Sequence, residues 1–142
     1  MKRTMTAIAA LTMSAGLAYA EGHASMDNEN LIRTRDITGG EIYVMSSEMD
    51  DATWGQNETY DEVNTEWNDI GEIEDIILSK DGQMIGIVAE IGGFLDIADK
   101  HVMIPVEDVK LIAVDDQSYA YVTRMTEEQL EEMEGVDEGW WN

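Results

Sequence analysis

Apolar side chains return at alternate positions through much of residues 70–114, the spacing of strands that turn one face to a core. Residues 70–79 offer Ile73, Ile76 and Leu78 to that core and turn Glu72, Glu74 and Asp75 mostly outward. Residues 84–91 answer with Ile85, Ile87, Ala89 and Ile91. Between the two runs lies Lys80-Asp81-Gly82-Gln83, whose Asp-Gly pair supplies the positive backbone dihedrals of a tight turn, so the spacing predicts an antiparallel hairpin. Gly92 and Gly93 then mark a bulge or corner, with Phe94, Leu95 and Ile97 placed to plug an open end. Residues 101–106 form the next strand, short or at an edge because Pro105 has no N–H to give a ladder. A second hairpin joins residues 110–114 and 119–123 across Asp115-Asp116-Gln117-Ser118.

The flanks complete the picture. Residues 31–36 are assigned a first short strand, and residues 41–45, entered from Gly39-Gly40, a second. Thr126-Glu127-Glu128-Gln129 has the spacing of a capping box, so a short helix opens there, with Leu130 and Met133 on one face and Gly135 as its stop. The expected fold is mainly β: a small barrel of antiparallel strands with a short C-terminal helix. Residues 46–69 interrupt it. This 24-residue stretch holds eight carboxylates and little apolar periodicity, and it is too long for an ordinary hairpin loop, so it reads as an acidic insertion whose Trp54, Tyr60 and Trp67 argue against full disorder.

The ends change the address of the protein. Lys2 and Arg3 precede an apolar run through residue 17, and Ala18-Tyr19-Ala20 has the small-x-small form a signal peptidase accepts. Residues 1–20 are therefore expected to be a cleaved signal peptide, which places the chain in the periplasm with no membrane span left after cleavage. A flexible lead follows at residues 21–30, then the barrel domain at 31–134 with its insertion, then an acidic tail at 135–142 carrying Trp140 and Trp141. With no cysteine, neither a disulfide nor a lipidated cysteine is available, and the domain must stand on its apolar core.

The formal charge is −23, and removal of Lys2 and Arg3 with the leader takes it to −25. Such a field repels phosphate backbones and excludes nucleic acid as a partner, while it favours basic protein surfaces and divalent cations. Candidate chemistry is sparse. His23 and His101 are the only histidines, and without a cysteine they give no zinc spacing, so His101 reads as a strand or rim residue. Asp50-Asp51 and Asp115-Asp116 are the candidate calcium ligands, although neither pair has EF-hand spacing. Ser46, Ser47, Ser79 and Ser118 lack a nucleophile-elbow setting, and no glycine-rich loop matches a phosphate site. The chain is expected to be no enzyme and to need no cofactor.

The run from Asp69 to Ile112, with Ile91-Gly92-Gly93-Phe94-Leu95 followed by His101-Val102-Met103-Ile104-Pro105, together with the capped helix after the last strand, resembles the PRC-barrel family. That module is shared by the cytoplasmic domain of the photosynthetic reaction centre H subunit and by ribosome maturation factors of the RimM type. The resemblance extends over residues 31–133. It implies a PRC-type barrel that works in binding or assembly and not in catalysis. The basic surface of an RNA-associated relative is absent. The expected function is thus a periplasmic protein-binding or assembly module, with Trp54, Tyr60, Trp67, Trp140 and Trp141 as candidate contact residues. The alternative is an acidic protein that binds divalent cations or serves in envelope stress.

Overall fold

A computed structural model describes residues 28–46, 49–92, 98–137 and 139. The expected signal peptide, most of the lead, the Gly93–Ile97 corner, and Trp140 and Trp141 lie outside the described residues. The chain divides into Met1–Asn30 and Leu31–Asn142; of the first unit, a single 3-10 turn at Asn28–Asn30 is described.

The second unit is mainly β. Its strands are β1 (Glu41–Val44), β2 (Thr59–Tyr60), β3 (Asn68–Leu78), β4 (Met84–Ile91), β5 (Lys100–Pro105), β6 (Val109–Ala113) and β7 (Tyr119–Thr123). Two short helices accompany them, α1 (Asp51–Trp54) and α2 (Glu127–Glu132). One sheet runs in the order β2-β6-β7-β1-β3-β4-β5, not closed but compatible with a barrel-like fold. Both predicted hairpins form, β3 with β4 and β6 with β7. The sheet is mixed, because β1 lies parallel to β7 and β2 parallel to β6, pairings between strands distant in sequence that alternation alone does not reveal. Pro105 closes β5, which is the edge strand its missing N–H requires.

Two bulges shape β3. Ile42 pairs with Gly71 but Tyr43 with Asp69, leaving Ile70 as an extra residue; Ile73 pairs with Ala89 but Asp75 with Val88, leaving Glu74 extra. Each bulge flips the in–out alternation by one place, so Ile70 and Ile73, three apart, are both buried. Gly71 sits at the first bend with φ +150°, and a Cβ there would lie 1.9 Å from the Glu90 carbonyl oxygen, so only glycine fits. A third irregularity leaves Ile85 unpaired opposite Ile77 and Leu78. That shift corrects two expectations: Ile85 and Leu78 face solvent, at 40% and 54% exposure, and not the core.

Two further elements differ from expectation. Residues 31–36 do not form a strand; Thr34–Asp36 is a 3-10 turn, held by the Arg33 guanidinium donating twice to the Asp36 carboxylate at 2.7 Å. That fork also holds the part-buried Asp36 carboxyl below its usual range. Helix α2 has the capping box read from its sequence, but no left-handed Gly135 ends it. Lys100 Nζ instead donates to the carbonyls of Glu131 and Met133, at 2.5 and 2.7 Å, and the following chain lays Val136 N on His101 O at 2.8 Å, against β5.

The apolar residues gather on both sides of the sheet. The main core unites Ile42 and Val44 of β1, Ile73 of β3, Ile87, Ala89 and Ile91 of β4, Val102 and Ile104 of β5, and Leu130 of α2. A second cluster, on the opposite face of β1, β6 and β7, joins Trp54, Ile112, Ala120 and Val122 with the partly buried Tyr43, Met45, Met49, Tyr60, Val63 and Trp67. Residues 49–67 thus roof the outer face of one half of the sheet. Ala120, Tyr121 and Val122 are consequently all buried, the continuous pattern of a strand covered on both sides.

Candidate functional site

The roof is fastened at Trp54. Asp50 caps α1, its carboxylate accepting from Thr53 N at 2.8 Å and from the Thr53 hydroxyl at 3.1 Å, which turns the indole inward one turn later. Trp54 is only 6% exposed; its indole N–H donates to Glu107 O at 2.8 Å, and Lys110 Nζ stands 4.9 Å over the ring. Arg124 approaches the same ring at 5.9 Å, donates through Nε to Asp108 at 2.7 Å and pairs with Asp51. The Asp108 hydrogen bond, first, and that to Asp51 keep this guanidinium protonated beyond its ordinary range. Trp54, a candidate contact residue by sequence, is therefore placed as a packing residue that joins residues 49–67 to the sheet.

Tyr60 and Trp67 are placed differently. β2 lies parallel to β6 at the end of the sheet, and Tyr60 meets Trp67 edge to face with ring centroids 5.1 Å apart. Both rings remain part-exposed, and with Glu62, Val63, Asn64 and Thr65 they line an open cleft of about 370 Å³. Glu62 lines it directly, and exposed Glu58, Asp61 and Glu66 each stand within two residues of a lining residue along the chain, which makes its rim acidic. An aromatic pair in an acidic rim can seat an aliphatic stem and attract a cationic head.

The two pairs of calcium candidates lie in different elements, and three of the four residues are locally engaged. Asp50 is a helix cap, and its carboxyl is held below its usual range by the Thr53 N–H. Asp51 pairs with Arg124. Asp115 accepts from Gln117 N and Ser118 N at 2.8 and 2.7 Å, fixing the β6–β7 turn, and those hydrogen bonds lower its carboxyl as well. Asp116 is exposed in the same turn.

A group that sequence reading did not assemble lies on the outer face of the other half of the sheet. Glu74, Glu90 and His101 come from three adjacent strands, and one ligand atom of each lies within 4.8 Å of the other two. His101 is the direct cross-strand partner of Glu90, with Nε2 to carboxylate 3.5 Å. Glu74 reaches them because it is the extra residue of the β3 bulge. The signal was present in part: register extended from the Asp81-Gly82 turn aligns β3 with β4, but the bulge that brings in Glu74 leaves no mark in the alternation.

Residues 61–129, just under half of the chain, match the family model described as PRC-barrel domain. No curated protein matches the chain significantly. Among the described residues, no helix is long and apolar enough to cross a membrane.

Proposed function

The chain carries a PRC-barrel domain, and from that premise we propose that it is an exported, non-catalytic module whose work is to be held by another protein. One observation carries the reading: the part-exposed Tyr60–Trp67 pair, set in an acidic rim on a segment that the Trp54 clamp fixes in place. Aromatic anchors already ordered before binding lose little side-chain entropy on association and are the residues around which interface energy concentrates. The rim and the overall charge select a basic surface, which they attract over several ångströms before contact. Export rests on the leader at residues 1–20, and periplasmic residence on its cleavage between Ala20 and Glu21.

Site-specific photo-crosslinking in living cells tests this. A photoreactive residue at position 67 should trap one discrete heterologous protein, and the same probe at Lys80, on the distant hairpin turn, should not. Equal trapping at both positions, or self-crosslinking alone, would contradict the proposal. The second reading, binding of divalent cations, is favoured by one observation only, the Glu74–Glu90–His101 group.

A further inference from the structure

We propose that Glu74, Glu90 and His101 form a surface site for a divalent transition cation of the zinc class, independent of the protein-binding role. Three strands contribute one ligand each, so the site exists only in the folded sheet, and the donor atoms already lie within 4.8 Å of one another. Around a tetrahedral ion with bonds of about 2.1 Å the ligand atoms stand roughly 3.4 Å apart. Glu74 is the exposed member of the three, and its side chain has the freedom to turn toward such an ion.

The surroundings favour a cation. Glu72 is directly opposite Glu90 on β3, and Asp99 shares with both a cleft bounded by Gly71 and Gly92. Among the described residues no lysine or arginine forms a salt bridge with Glu72, Glu74 or Glu90; the nearby Lys100 is directed to the carbonyls at the end of α2. A bound cation would add positive charge among these carboxylates. The donor set then selects its class. An imidazole nitrogen with two carboxylates suits zinc and its neighbours, whereas calcium and magnesium require oxygen donors throughout. Three protein ligands leave a fourth position for water or for a donor from a bound molecule.

The test is titration of the chain, purified from cells and stripped by chelator, with zinc chloride in a buffer that does not bind metal. One ion per chain is expected, with affinity at least tenfold weaker in His101→Gln and in Glu90→Gln, and changed less than twofold in His23→Ala. Zinc should raise the melting temperature of the parent chain and leave that of His101→Gln unchanged; circular dichroism without metal establishes that the variant is folded. Because His101 keeps about a quarter of its side chain exposed on an edge strand, glutamine is accommodated there. Undiminished affinity in His101→Gln, loss confined to His23→Ala, or several weak ions per chain that neither substitution affects would overturn the proposal.

Discussion

The two outer faces of the sheet are treated in opposite ways. Over β6, β7 and β1 the outer face is covered by residues 49–67, its aliphatic side chains are sealed under Trp54, and its arginine and lysine are drawn onto the indole. Over β3, β4 and β5 the corresponding face carries Glu72, Glu74, Glu90 and His101 beside the buried Val88. The same strand chemistry therefore yields an apolar support for residues 49–67 on one side and a cluster of charged side chains on the other. Lys110 and Arg124 hold residues 49–67 down on one face, while carboxylates gather around His101 on the other.

Substitutions that break this contrast should differ in size. Trp54→Ala removes a buried indole, its hydrogen bond to Glu107 and its two cation contacts, and should lower stability by about 3–5 kcal/mol in urea denaturation, with the roof exchanging amide hydrogens faster than β4. Gly71→Ala forces a Cβ against the Glu90 carbonyl at an unfavourable φ, for a loss of about 1–3 kcal/mol by the same measurement. Arg124→Met should cost about 1–2 kcal/mol through the part-buried Asp108 pair, while Asp51→Ala, whose carboxylate is 92% exposed, should change stability by less than about 0.5 kcal/mol.

Alkaline pH probes the same half. Burial, then the hydrogen bond to Glu41, raises the Tyr43 phenol to about 12, and burial raises Tyr121. A folded pKa above the unfolded one means that the stabilisation is complete below pH 10 and is lost as pH rises through the folded value. Stability should thus decline between pH 10 and 12, and Tyr43→Phe should flatten the decline. The smallest effect belongs to the open face: Glu74→Gln should leave stability within about 0.5 kcal/mol of the parent.

The fold was largely legible because its hairpins are local. The Asp81-Gly82 turn, the alternation in β4, the edge position of Pro105 and the Thr126 capping box each announce themselves within a few residues. The parallel pairings of β1 with β7 and β2 with β6 are long-range and leave no local trace. Bulges are equally silent, so alternation turns Leu78 and Ile85 inward and does not bring Glu74 to His101. Aromatics in the insertion signalled order, but composition does not separate Trp54, which is clamped, from Tyr60 and Trp67, which remain available. That distinction needs Glu107, Lys110 and Arg124, all more than 50 positions away.

The most direct measurement is calorimetric binding of the protein trapped at position 67 to three folded chains: the parent, a Tyr60→Ala/Trp67→Ala variant and a Glu90→Gln variant. Affinity should fall at least tenfold on removal of the aromatic pair and change less than twofold on the opposite face. Equal affinity for the parent and the aromatic variant, or loss confined to Glu90→Gln, would contradict the assignment of the roofed half as the protein-binding half.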